Sequence, residues 1–133
     1  NFNLVHASPD SPSVWNYILT LDQAIYNFSY FDEQICFVGH THKPTIFVEA
    51  EDNNYSREIK KRIKIDQNER YLINVGSVGQ PRDSNVAASY AIFDTDKMEY
   101  ELRRVNYDFR KTQRKMVESN LPSFLIERLA SGR

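Results

Sequence analysis

The apolar positions of this chain follow two different periods. Short runs that are continuous, or that alternate in steps of two, occupy Ile35 to Val38, Thr45 to Ala50, Tyr71 to Val75 and Ser89 to Phe93. Runs of this length, bounded by Gly, Pro, Asn or Asp, read as strands. Ile35 to Val38 is wholly apolar and is stopped by Gly39, the pattern of a strand buried on both faces. Phe2 to Val5 reads as the end of a further strand. Met98 to Val105 is expected to pair with Ser89 to Phe93, turning at Asp94-Thr95-Asp96. Thr45 to Ala50 and Ile59 to Ile65 bracket Asp52-Asn53-Asn54, a second hairpin signal.

The helical period appears elsewhere. Leu21, Ala24, Ile25 and Phe28 predict a helix over Leu21 to Phe31. A turn-rich loop, His6 to Pro12, precedes Val14 to Tyr17, where a short helix is expected to start. In the tail, residues 108–133, Asp108 is placed to cap a helix running to about Ser119, with Asn120 as its stop. Pro122 opens a second helix carrying Phe124, Leu125, Leu129 and Ala130, which Gly132 ends. Strand, helix, strand, several strands and two helices make a layered mixed α/β domain.

Composition narrows the class. At 133 residues the chain makes one modest domain, and 41% hydrophobic residues allow a packed core. Aromatics at 13% favour strands. A net charge of −1 gives no general attraction to nucleic acid or anionic membranes, so neither is an expected partner. No apolar run reaches the ~20 residues of a membrane span, and no basic-then-apolar leader opens the chain. The single cysteine, Cys36, lies in an apolar run and reads as a small buried hydrophobe. A disulfide framework within the chain is excluded, and a cytoplasmic location is the expectation. Lys60-Lys61-Arg62 with Lys64 alternates partly with Ile59, Ile63 and Ile65. It reads as the solvated face of an edge strand, with a phosphate-binding surface as the alternative. The first residue is not Met and the pattern there is already strand-like, so a late start or a cut is expected.

The chemistry concentrates at strand ends. Gly39-His40-Thr41-His42 sets two imidazoles after a buried strand, and residues two apart in an extended segment face one way. Imidazole is a common ligand for borderline metals, and carboxyl ends of strands are where α/β proteins place their sites. Taken bare, His-x-His is a weak signal. His6, the only other histidine, also follows a strand, and Asn74-Val75-Gly76-Ser77-Val78-Gly79-Gln80-Pro81-Arg82 follows another. All can sit on one rim of one sheet.

"LVHASPDSP", "FVGHTHKP" and "YLINVGSVGQPRDSNVAASYAIFD", with the tail "RRVNYDFRKTQRKMVESNLPSFLIERLASGR", resemble the calcineurin-like metallophosphoesterase superfamily. The closest likeness is to its bacterial group related to diadenosine tetraphosphatases and Ser/Thr phosphatases. The resemblance covers essentially the whole chain, as the carboxyl-terminal half of one domain. It implies the C-terminal half of a four-layer α/β/β/α metallophosphoesterase sandwich. It also implies two divalent transition-metal ions (Mn²⁺, Fe, Zn²⁺, Ni²⁺ or Co²⁺) about 3–4 Å apart. By resemblance, His6 and His40 would ligate one ion and His42 the other. Arg82 would contact the phosphoester substrate, bracing of its own loop being the alternative. Asn74 and Ser77 would support the site loops. Ser8, Asp10 and Ser11 shape the entrance or cap a helix.

The family's remaining motifs, an Asp-x-His pair, a Gly-Asp and a Gly-Asn-His-Asp/Glu, are not found here. The four glycines are followed by His40, Ser77, Gln80 and Arg133. No catalytic acid is therefore assigned within the chain. The chain alone is expected to hold one metal or none and to be inactive, because three imidazoles without a carboxylate neutralise two dications poorly. The rest of the site would come from an amino-terminal half, as a second fragment, a segment outside these residues or a swapped partner. The intact protein would be a hydrolase using metal-activated water. A phosphoesterase-like scaffold, a small structural metal site and a nuclease are the competing readings.

Overall fold

The computed structural model describes residues 1–133. Its first sheet holds five strands in the order β1-β2-β6-β3-β4. These are β1 (Phe2–Leu4), β2 (Ile35–Val38), β3 (Thr45–Ala50), β4 (Asn54–Glu58) and β6 (Arg70–Asn74). The second sheet joins β5 (Arg62–Lys64), β8 (Glu99–Val105) and β7 (Ala88–Asp94) in that order. Helix α1 (Leu21–Phe28) lies between β1 and β2, and α2 (Phe109–Glu118) and α3 (Ser123–Glu127) close the chain.

The continuous apolar runs are explained by two cores, one on each face of the first sheet. Cys36, Val38, Phe47 and Leu72 point to one side, where Ala24 and Phe28 of α1 cover them. Ile35, Ile46, Val48, Tyr71 and Ile73 point to the other, against Ile65 and Tyr100 of the second sheet. The alternation is strict along β2, β3 and β6, as a pleated strand requires. The result is a mixed α/β stack of helix, sheet and sheet, with a helical tail.

Helix α1 begins at a reciprocal capping box. Gln23 N donates to Thr20 Oγ1 at 3.3 Å, and Thr20 N donates to Gln23 Oε1 at 3.1 Å. The tail helices stop at left-handed residues, Asn120 (φ 54°) and Gly132 (φ 64°). Asp108 sits at the start of α2, but its side chain makes no capping hydrogen bond.

Two expectations from the pattern are corrected. The partner of β3 is β4, the polar stretch Asn54–Glu58, not the segment Ile59 to Ile65. The latter leaves the first sheet and pairs through β5 with β8. Val14 to Tyr17 forms the end of a turn and then irregular chain, not a helix. Trp15 has φ 64°, which a right-handed helix excludes.

Candidate functional site

Parallel pairing lines up the carboxyl ends of β1, β2 and β6. The registers Leu4↔Phe37 and Val38↔Asn74 place His6, Gly39-His40-Thr41-His42 and the loop after Asn74 on one rim. Backbone bonds fasten these loops together. Gly39 N donates to His6 O at 3.0 Å, and Arg82 N donates to His42 O at 3.1 Å. Both site-loop histidines adopt left-handed backbone, His40 at φ 62° and His42 at φ 60°. Such conformations are costly for residues with a Cβ and persist only where the surroundings fix them.

Asn74 is buried and does much of that fixing. Its Nδ2 donates to Gly39 O, and to Thr41 Oγ1 at 2.9 Å; its Oδ1 accepts from Gly76 N at 2.9 Å. Gly76 has φ 81°, and a Cβ there would lie 2.7 Å from Ser89 Oγ and 2.8 Å from Pro44 Cγ. Ser77 acts inside its own loop. Its hydroxyl accepts from Gln80 N at 3.0 Å, and its carbonyl accepts from Ser89 N at 2.8 Å.

The imidazoles differ in setting. His42 Nδ1 lies 2.7 Å from Gln80 O, so this nitrogen carries the proton and Nε2 keeps its lone pair. This is the orientation by which a backbone carbonyl prepares a histidine to ligate a metal. Burial lowers the His42 pKa, and the Arg82 charge adds to the effect. His40 and His6 meet with ring centroids 5.4 Å apart. Burial, then the charge of His6, lowers the His40 pKa. In the His6 loop, Ser8 Oγ and Asp10 Oδ1 are buried oxygens without a hydrogen-bond partner.

Arg82 is free of carboxylates. Its Nε and one terminal nitrogen donate to Gln80 Oε1 at 3.2 and 2.8 Å. Asp83, its neighbour, pairs with Arg104 instead. The tail reaches this region too: Ser84 N donates to Gly132 O at 2.9 Å.

The donors suit a divalent metal in kind: three imidazoles, one with its tautomer set by a carbonyl. They do not suffice in number. Nowhere do three or more His, Cys, Asp or Glu side chains gather as a metal-holding group. Two residues escaped the sequence reading altogether. Trp15 lies against His6 with centroids 4.8 Å apart, and Tyr17 stacks on His40 at 4.2 Å and 26°. The only hint was two aromatics after a Pro-rich loop. No helix is long and apolar enough to cross a membrane.

Comparison with known proteins fits this geometry. Residues 1–98 match the family model of the calcineurin-like phosphoesterase superfamily domain. An uncharacterized protein of Methanocaldococcus jannaschii is 44% identical over 128 residues, which is 96% of this chain and 50% of that protein. The crystal structure of a metallophosphoesterase from Sphaerobacter thermophilus superposes with a TM-score of 0.86 at 40% identity, covering 99% of this chain and 55% of that one. A hypothetical protein from Pyrococcus horikoshii OT3 shares the fold, with a TM-score of 0.65 at 17% identity over 99% of this chain and 46% of that one. The chain thus spans about half the length of the relatives it matches. With a family match over residues 1–98 and the histidine loops on one rim, the chain belongs to the calcineurin-like phosphoesterase superfamily.

Proposed function

We propose that this chain supplies the carboxyl-side part of a binuclear metallophosphoesterase centre that hydrolyses phosphoesters. The observation that carries the reading is the meeting of His6 and His40, 5.4 Å apart, at the ends of adjacent parallel strands. His6 and His40 would hold one ion, and His42 would offer Nε2 to the other. A divalent metal pair supplies electrophilic polarisation of the phosphoryl group and hydroxide from water near neutral pH. Arg82, unpaired with any acid, binds phosphoryl oxygens through its planar guanidinium. Asn74 keeps the Gly39–His42 loop in its left-handed turns, and so keeps the imidazoles in place.

The carboxylates that neutralise two dications come, in this reading, from an amino-terminal half of the same protein. The outer side of β1 is unpaired, and Leu4 there is exposed. An apolar groove of about 460 Å³ lies beside it, lined by Phe2, Leu4, Phe37, Val75 and Phe93. These surfaces are the seat we assign to that half. The small number of donors within the chain favours one second reading, a phosphoesterase-like interaction module.

Metal analysis and hydrolysis assays separate the two. The protein with its full domain is expected to carry about two transition-metal ions and to hydrolyse p-nitrophenyl phosphate or its diester. Substituting His40→Ala or His42→Ala is expected to lower metal content and cut turnover at least ten-fold. Little or no bound metal together with no hydrolysis of either ester would favour the module. Metal content unchanged in both variants would remove the histidines from the site.

A further inference from the structure

We propose that Trp15 and Tyr17 form an aromatic clamp beside the histidines, taking a flat aromatic substituent carried by the phosphoester substrate. The inference rests on the phosphoesterase reading and adds to it the class of group attached to the phosphoryl. Both side chains are large and apolar, yet Trp15 is 55% and Tyr17 46% exposed. Neither belongs to either core, whereas Ile18, one residue on, is buried in the core beneath α1. The loop is therefore anchored by Ile18 and holds its two larger rings outside.

The loop is also built to keep them there. Val14 N donates to Ser11 O at 2.9 Å, Asn16 Nδ2 to Asp10 Oδ2 at 3.2 Å and Leu19 N to Gln23 Oε1 at 2.8 Å. Between these ties Trp15 takes φ 64°, rare for so bulky a residue. Strain of this kind gathers at ligand sites, and here it falls beside two strained histidines, His40 and His42. The rings border the imidazoles directly. The indole stands edge-on to His40 at 5.5 Å, and the phenol is stacked on the same imidazole.

One face of the Tyr17 phenol is taken by His40; its other face and the exposed indole can bind flat rings by offset stacking and tolerate different ring chemistries. A cationic ligand would also favour these faces, but Arg82, bound through its backbone to the His42 carbonyl, brings positive charge to the same rim. An anionic phosphoester bearing a flat ring satisfies both features. The ring can be a nucleobase or an aryl group.

Trp15 is the one tryptophan among these 133 residues, and the part of the fluorescence change that Trp15→Phe abolishes reports on the clamp. The metal-loaded protein is titrated with adenosine 5′-monophosphate, phenyl phosphate and glycerol 3-phosphate. Quenching by a ring-bearing ligand, at concentrations where glycerol 3-phosphate has no effect, is expected. Whichever of the first two quenches at lower concentration identifies the ring. Trp15→Ala and Tyr17→Ala should raise KM for the preferred ring-bearing ester about ten-fold more than for glycerol 3-phosphate. Trp15→Phe should lose the fluorescence signal yet keep most of the KM advantage. Equal binding and turnover of ring-bearing and ring-free esters, in wild type and variants alike, would overturn the clamp while leaving the phosphoesterase intact. A metal-loaded protein that hydrolyses no ester would overturn the phosphoesterase reading; quenching would then still decide for or against the clamp.

Discussion

The Asn74 side chain uses its amide hydrogens and its oxygen within the protein, joining the loop after β2 to the loop after β6. Alanine there leaves the Gly76 N–H, the Gly39 carbonyl and the Thr41 hydroxyl without that partner. Loss of about 2 kcal/mol is expected for Asn74→Ala, read by urea unfolding. Metal affinity should fall with it, since the left-handed turns at His40 and His42 lose their brace. Gly76→Ala tests the same corner sterically, because any Cβ collides with Ser89 and Pro44 at positive φ. It should cost at least as much, and Ser89→Ala should recover little of it, since Pro44 still blocks the space. The histidines and Asn74 were legible as residue types after strands. Trp15 and Tyr17 were not, because their role depends on contact with His6 and His40, far along the chain, and not on local spacing.

Helix α1 has no basic residue in its last turn; the next backbone N–H groups, of Ser29 and Tyr30, reach the Tyr26 and Asn27 carbonyls, and the carbonyls of Phe28 and of Phe31 just beyond are answered from the sheet. Arg70 of β6 does this. Its guanidinium donates to Phe28 O at 3.0 Å and to Phe31 O, pairs with Glu49 at 2.6 Å, and sits 4.8 Å from the Phe31 ring centroid. Arg70→Ala should destabilise by about 2 kcal/mol and loosen α1 before the sheet, as seen by hydrogen exchange. Arg70→Lys should recover only part, lacking the planar fork. The elements that sequence pattern located well, β2 and β3, are those buried on both faces, where every position carries signal. The pattern failed at β4. Its sequence, Asn-Tyr-Ser-Arg-Glu, is that of an exposed edge strand held by backbone pairing to β3, which leaves almost no apolar period to read. The isoleucines of the next segment drew the assignment instead, although Ile63 and Ile65 serve the second sheet and Ile59 is exposed.

At the scale of the molecule, the two cores bury groups that ionise only at high pH. Burial pushes the Cys36 thiol up to about 12 from an ordinary value of 9.0. It also raises the phenols of Tyr71 and Tyr100. Each of these groups holds its proton more tightly folded than unfolded. Their contribution to stability is therefore complete below about pH 9 and is lost as pH climbs toward the folded values. Thermal melting should show a falling midpoint from pH 9 to 12. At pH 8 a thiol reagent should leave Cys36 untouched in native protein and label it rapidly in denaturant. Fold class was legible because a strand buried on both faces is apolar at successive positions, as Ile35 to Val38 are. The split of strands between two sheets was not, since it depends on which long-range partner each edge finds.

The rim that gathers the histidine loops has a kinetic meaning. Its strands pair in parallel across long stretches of chain, Phe2 with Ile35 and Ile35 with Tyr71. No local hairpin can bring His6 to His40, or His40 to the loop after Asn74, before the sheet itself has closed. A ligand grasped jointly by these loops cannot seed folding, because its seat does not exist in a half-formed chain. Its capture marks the end of the folding reaction, and because it binds only the closed sheet it stabilises the native protein against unfolding.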